Sequence, residues 1–217
     1  MTKLKKIVSH IYPFTKTITS KISGTLEVTW INGKKVLDSE NANYSYGSLQ
    51  RLLEYGLSKI YFDAKSEILL LGLGAGSIVH SLRKKFNHQG TITAVELDPV
   101  VIDLARDEFE IATLNDVNII ESDAYRFVKE EHQAFHLIII DLFIDNKVPE
   151  QFYEKDFWEH IFKNLKSKGN ILFNAGILLK DHSTLELLIK QFEDQIVFNI
   201  HKDVQGTNTL VIGRKIS

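Results

Sequence analysis

The chain has 217 residues, enough for one generous domain or one domain with a small appendage. Hydrophobic residues at 44% and charged residues at 25% exclude a disordered or fibrous protein, and the absence of cysteine removes disulfides, thiol nucleophiles and every cysteine-ligated metal site. Twenty-six Lys and Arg against 28 Asp and Glu leave a formal charge of −2, which gives no electrostatic footprint for nucleic acid.

Residues 1–24 hold Lys3, Lys5, Lys6, Lys16 and Lys21 and no acid. Polar residues interrupt them too often for a secretory signal, so a solvated basic leader is expected. Residues 25–38, Thr25-Leu-Glu-Val-Thr-Trp-Ile-Asn-Gly-Lys-Lys-Val-Leu-Asp38, alternate apolar and polar positions around Asn32-Gly33. That pair supplies the two positive-φ positions of a type I′ turn, and the segment reads as a β-hairpin. A helix follows over about 46–60, where Leu49, Leu52, Leu53, Leu57 and Ile60 fall at helical spacing. Hairpin and helix make a small N-terminal cap over 25–62.

From residue 63 the rhythm becomes strand, helix, strand, helix. Apolar runs at 68–71, 92–95, 117–120, 137–140 and 171–173 alternate with helical patterns at 78–86, 100–109, 124–129 and 153–165. Strands this uniformly apolar are buried on both faces, as in a parallel sheet covered by helices. The ending differs: 196–201 and 208–213 are two strand patterns joined through Gln205-Gly206-Thr207, so one of them runs antiparallel. The expected fold is therefore α/β with a mostly parallel sheet. No apolar run approaches the ~18 residues of a membrane span. Neither a membrane nor a nucleic acid is expected as partner, and the expected location is cytoplasmic.

The chemistry gathers at the strand ends. Strand 68–71 runs into Gly72-Leu-Gly74-Ala-Gly76-Ser77 and a helix starts at once. Glycine there lets the backbone turn sharply and approach a ligand, while the helix N-terminus points N–H groups into the same space. As a dinucleotide fingerprint the turn is irregular, with Ser77 at the sixth position. Glu96 ends the second strand, Asp123 follows the third and Asp141 ends the fourth. In an open parallel sheet ligands sit at the carboxyl ends of the strands, so these acids and the turn share one edge. Each has a plain structural reading beside the functional one: Glu96 or Asp98 as loop acids, Asp123 and Asp141 as helix N-caps.

Gly72-Leu-Gly-Ala-Gly76, Val95-Glu-Leu-Asp-Pro99, Ser122-Asp-Ala-Tyr-Arg-Phe127 and Ile138-Ile-Ile-Asp141 resemble the successive motifs of class I S-adenosylmethionine-dependent transferases, and more narrowly the spermidine-synthase branch, over roughly residues 25–175. The resemblance implies a Rossmann-like, class I methyltransferase-like sheet of seven strands with an antiparallel last strand. It makes 63–217 a nucleoside-binding transferase domain for S-adenosylmethionine or its decarboxylated form. Carried over by position, Glu96, with Leu97 beside it, binds the ribose hydroxyls. Asp123 and Ala124 meet the adenine, and Gly72, Gly74 and Gly76 make room for the sulfonium end. Asp141 is the carboxylate at the catalytic edge, with Asp145 as a second candidate. Tyr46 and Gln50 fall near the family's acceptor-side Tyr and Gln. A small-molecule acceptor, an amine or polyamine among the candidates, is implied, with a homodimer as the candidate assembly and no metal site.

Two departures bear on the reaction. Ala75 stands where the family's glycine loop carries a donor-selecting Asp. Asp141-Leu-Phe-Ile-Asp145 replaces the family's Asp-Ser-x-Asp, displacing the second acid and losing the Ser. Both tilt the expectation toward methyl transfer from S-adenosylmethionine to a small polar acceptor. Aminopropyl transfer comes second, and a non-catalytic nucleoside-binding module and an NAD-linked oxidoreductase stand behind. Tyr153, Phe157 and Trp158 read as core, and Lys163 to Gly169 as a helix C-terminus with a glycine stop.

Overall fold

A computed structural model describes residues 2–39, 43–144, 147–177 and 183–216. After a short helix α1 (Thr2–Val8), strands β1 (Phe14–Ser20), β2 (Gly24–Ile31), β3 (Lys34–Ser39) and β4 (Asn43–Ser45) pair antiparallel in chain order. The expected hairpin is β2–β3. Its turn residues Asn32 and Gly33 have φ of 50° and 75°, as a type I′ turn requires.

The basic leader expected over 1–24 is instead built into this sheet, because β1 pairs with β2 from Phe14↔Trp30 to Ser20↔Gly24. Its lysine content misleads. Lys16 reaches across to Glu108 at 3.1 Å, and Lys35 of β3 meets the same carboxylate at 2.8 Å. The cations that suggest a solvated arm thus include one that reaches the next layer. Ser9, just past α1, fastens that helix to the β2–β3 turn by accepting from the Gly33 N–H at 3.0 Å.

Helix α2 (Gly47–Leu57) leads into the larger sheet, whose strands are β5 (Ile68–Leu71), β6 (Ile92–Glu96), β7 (Val117–Glu121), β8 (Phe135–Ile140), β9 (Leu165–Ile177), β10 (Ile196–Val204) and β11 (Asn208–Lys215). Their spatial order is β10-β11-β9-β8-β5-β6-β7. The pairs among β5, β6, β7, β8 and β9 are parallel, whereas β11 runs antiparallel to both β9 and β10. This is the seven-stranded, class I methyltransferase-like sheet with its reversed last strand.

Alternation along each strand splits the core in two. Leu69, Leu71, Ile138 and Ile140 face α5 (Ala124–Glu130) and α6 (Lys155–Lys163), with α7 (Ser183–Phe192) on the same side. Ile68, Leu70, Leu137 and Ile139 face α2 and α3 (Ser77–Lys84). Phe157 and Trp158 are fully buried, as their spacing predicts. The glycine stop at Gly169 is not where α6 ends. The helix closes at Lys163, Asn164 buries its side chain against the Val128 carbonyl at 2.8 Å, and Gly169 lies inside β9. Helix α7 has no counterpart in the sequence reading.

One buried acid ties the N-terminal sheet to the larger one, beside the Glu108 ion pairs and an apolar seam. Asp98, 1% exposed, caps α4 (Pro99–Asp107) by accepting from the Val100 N–H at 2.9 Å. It also accepts from the Ser20 hydroxyl and from the Ser23 N–H, at the end of β1 and in the turn after it. Burial alone pushes this carboxyl upward, but these bonds outweigh it and hold the group below its ordinary value. Asp98→Ala removes a helix cap and the seam together. We expect urea denaturation to show a loss of about 3 kcal/mol, and hydrogen exchange to show lost protection concentrated in residues 14–31.

Candidate active site

Four strand ends meet at the carboxyl edge of the parallel strands. The tight turn after β5 holds Gly72, Gly74 and Gly76 at φ of 92°, 53° and 78°. Position 72 tolerates nothing larger than glycine: a Cβ there would run into the carbonyl oxygen of Asp141, just past neighbouring β8. The turn and the catalytic-edge acid are therefore brought together by direct backbone contact at the point where the strand order reverses.

Glu96 closes β6 with its carboxylate nearly buried. Oε2 accepts from the Gly74 N–H at 3.0 Å, and Oε1 accepts from the N–H groups of Leu97 and Asp98 at 2.9 and 3.2 Å. Burial raises its pKa, against the pull of those three donors and with the help of the neighbouring Asp98 charge. Asp123 caps α5, its Oδ1 accepting from the Arg126 N–H at 2.9 Å. Capping uses one oxygen, so this acid both caps the helix and lines the cleft. Ala124 follows in the first turn, buried. Glu96 Oε2 and Asp123 Oδ2 retain acceptor capacity among the described residues, which suits a ligand bringing hydroxyl and amino donors, as an adenosine does.

Asp141 sits half-buried just past β8. Its Oδ1 accepts from the Asn174 side chain at 2.9 Å. Burial raises its pKa to about 6 and the Glu96 charge adds to that, while the Asn174 bond opposes it. Asn174 is itself fully buried in β9 and accepts from Asn208 of β11 at 3.1 Å. The sequence reading missed both asparagines. A signal was present: Asn174 interrupts the apolar run Ile171-Leu-Phe173, and a polar side chain in a doubly covered strand needs partners.

These groups line one cleft of about 690 Å3. Its floor is the Gly turn with Glu96, Leu97, Asp123, Ala124 and Asp141. The turn between β1 and β2, at residues 22–25, lines another side, as do Leu49, Leu52 and Leu53 of α2. Phe143, Ile144, Pro149 and Phe152, after β8, also line it, with Thr207 and Asn208 at the closing hairpin.

Tyr46 and Gln50 are not among the lining residues. Tyr46 stacks on Phe109 with ring centroids 5.2 Å apart, and its hydroxyl pKa is raised by burial and by Glu110. Gln50 donates to Ser81 Oγ at 2.9 Å. Their helix does line the cleft, through the leucines one turn on, so the correction concerns which face of α2 is presented. Ala75 is fully buried between the two sheets, in a cluster with Leu26, Val28 and Leu37. Asp145 lies outside the described residues.

The model of the spermine/spermidine synthase domain matches residues 56–206. A polyamine aminopropyltransferase of Sulfolobus acidocaldarius is 29% identical over 155 residues, covering 64% of this chain and 50% of that protein. An eEF1A lysine and N-terminal methyltransferase homolog of Drosophila melanogaster is 26% identical over 157 residues, covering 65% of this chain and 23% of that protein. Against these relatives the chain spans half of the length or less. Among solved structures, a probable spermidine synthase from Corynebacterium glutamicum superposes with a TM-score of 0.65 at 22% identity, covering 95% of this chain and 78% of that one. Human methyltransferase-like protein 13, in complex with SAH, gives 0.66 at 16%, covering 79% and 83%. These two likenesses show the fold, and the family model covers well over half of the chain: the protein belongs to the spermine/spermidine synthase domain family.

Proposed function

We propose that this protein is an aminopropyltransferase that takes decarboxylated S-adenosylmethionine as donor and an amine of the polyamine class as acceptor. The charge of the cleft carries this reading. Its described lining includes the carboxylates of Glu96, Asp123 and Asp141 and no Lys, Arg or His. An amine-ended donor and an amine acceptor bring cations to these acids. A donor that keeps its carboxylate brings an anion with no side-chain cation among the described lining residues to meet it, and an unmet charge discriminates between otherwise similar ligands. Family membership and the name of the Sulfolobus relative point the same way. This reverses the preference for methyl transfer drawn from Ala75. Methyl transfer from S-adenosylmethionine is the second reading, favoured by Ala75 in place of the loop acid and by the name of the Drosophila relative.

Glu96 takes the ribose hydroxyls at Oε2, the oxygen with a single N–H partner, while Asp123 takes the adenine amino group at Oδ2. Gly72 and Gly74 keep side chains away from the sulfur. When bound, the donor supplies a carbon made electrophilic by the adjoining sulfonium. The protein's own tasks are to align an amine with that carbon and to accept its proton. With its pKa raised to about 6, Asp141 is ionised at neutral pH and basic enough to take the proton as the new N–C bond forms. Asp145 is proposed as a second acceptor for it.

Calorimetry with the two donors is expected to show tighter binding of the decarboxylated one. A tenfold preference for S-adenosylmethionine would overturn the order of the two readings. Glu96→Ala is expected to weaken donor binding more than tenfold, about 1.4 kcal/mol or more, through loss of a buried acceptor. An unchanged dissociation constant would remove Glu96 from the donor site.

Asp141→Asn is expected to lower kcat by about 10²- to 10³-fold and yet to stabilise the protein. Folded Asp141 keeps its proton up to about 6, whereas unfolded it releases it near its ordinary 3.8. Stability is therefore lost as pH rises through that window. Asparagine escapes this cost and still accepts from Asn174, so the variant is expected to be on the order of 2 kcal/mol more stable at pH 8. The difference is expected to vanish below about pH 4, read from urea midpoints across pH.

A further inference from the structure

The reading of Asp141 as proton acceptor leaves open which of its oxygens does the work, and the packing behind it bears on that. Asn174 donates through Nδ2 to Asp141 Oδ1 at 2.9 Å and accepts at Oδ1 from Asn208 Nδ2 at 3.1 Å. Asn208 Oδ1 in turn accepts from the Thr207 hydroxyl at 2.7 Å. An ionised carboxylate only accepts, so its oxygen dictates which end of Asn174 faces it. That choice forces Asn208 to present its amide nitrogen and leaves its carbonyl for Thr207. Three side chains are thereby locked in one direction, every donor pointing toward Asp141.

The backbone is shaped to allow this chain. Asn174 and Asn208 lie on neighbouring antiparallel strands but are not register partners: Asn174 pairs with Leu210, and Asn208 with Ile177. Between those pairs β9 carries one residue more than β11, a bulge in which Gly176 adopts φ of 119°. A bulge re-aims side chains, and this one accompanies the contact between the two amides behind the cleft. Asn174 is fully buried and Asn208 is 8% exposed, so water competes little with either bond.

We propose that Asn174 and Asn208 are positioning residues for the proposed transfer: Asn174, held by Asn208, engages Oδ1 of Asp141 and leaves Oδ2 to the cleft as the oxygen that takes the acceptor's proton. The step is balanced within the site. The amine lone pair forms the N–C bond while the C–S bond breaks, its electron pair going to sulfur so that a neutral thioether leaves. The amine N–H bond breaks, its proton forms an O–H bond at Oδ2, and Asp141 becomes a neutral acid whose Oδ1 still accepts from Asn174. The inference rests on the transfer reading only for the identity of the proton's source. The charged group facing Asp141 is Glu96 at the end of β6, and no Lys, Arg or His is among the described residues of the cleft. The asparagine chain is thus the described support for the ionised form.

The test is a titration of the protein without donor or acceptor. Aspartate 13Cγ NMR follows the Asp141 carboxyl, assigned by the signal lost in Asp141→Asn. Asn174→Ala is expected to raise the midpoint by about one pH unit, since a bond to the charged form is lost. Asn208→Ala, one side chain further from the carboxylate, is expected to raise it by a smaller amount, because Asn174 is then free to turn its carbonyl toward the carboxyl. In turnover, both variants are expected to lower kcat and shift the acid limb of its pH profile upward while the donor's KM stays unchanged. Folded variants whose Asp141 midpoints match the parent's would overturn the proposal. A parent protein that binds neither donor would sink the transfer reading and leave this titration as informative as before.

Discussion

One buried carboxylate, that of Glu96, holds the parts of this molecule in register. It accepts from Gly74 in the turn after β5 and from Leu97 and Asp98 in the turn after β6, so the two loops are fixed to one another. Asp98, held by its own N–H, extends the tie outward to Ser20 and Ser23 of the N-terminal sheet. The chain of bonds thus runs from the glycine turn through Glu96 and Asp98 to the N-terminal sheet. Removing water from such a group is costly, and the fold meets that cost with backbone donors. A backbone donor does not rotate away, so the same bonds that make burial tolerable make the site rigid before any ligand arrives.

Asp141 shows the opposite balance. It has one side-chain donor where Glu96 has three backbone donors, and a neighbouring negative charge besides. Burial raises the pKa of both acids, and at Asp141 a single side-chain bond opposes it. For stability the arrangement is poor, and for proton acceptance near neutral pH it is suited, which is the pattern expected where chemistry rather than packing sets the residue. The close approach of Gly72 to the Asp141 carbonyl completes it, because the acid cannot relax away from the turn without parting β5 from β8.

The large sheet was legible because its strands are covered on both faces: Ile68–Leu71 and the run ending at Ile140 are apolar throughout, and no other reading fits them. The acids were legible because a parallel sheet puts the ends of its strands on one edge. Strand β1 was not, since Phe14-Thr-Lys-Thr-Ile-Thr-Ser20 is exposed along most of its length and carries no core pattern. Gln50 was readable as a helical position but its turn toward Ser81 was not, and Tyr46 stands outside α2, as its N-cap with φ of 74°. The asparagines escaped notice for a different reason. Their meeting, 34 positions apart in the chain, depends on a one-residue bulge between two strands, and a bulge leaves only a glycine as its mark.

The position of Ala75 links these strands of argument. Its side chain is directed into the seam between the two sheets, among Leu26, Val28 and Leu37, where a carboxylate would lack the donors that Glu96 enjoys. The loss of an acid there is therefore a packing consequence of how closely the cap is drawn down on the glycine turn. In the proposed function, discrimination between donors would rest on the charge of the remaining cleft, where Glu96, Asp123 and Asp141 stand without a described cation. The family match begins at residue 56, so the wall built from residues 22–25 lies outside it, whereas the acids at the strand ends lie within. Under the proposed reading, the donor side of the cleft lies in the part that the family model matches, and the wall from the N-terminal sheet is left as the candidate for the acceptor side.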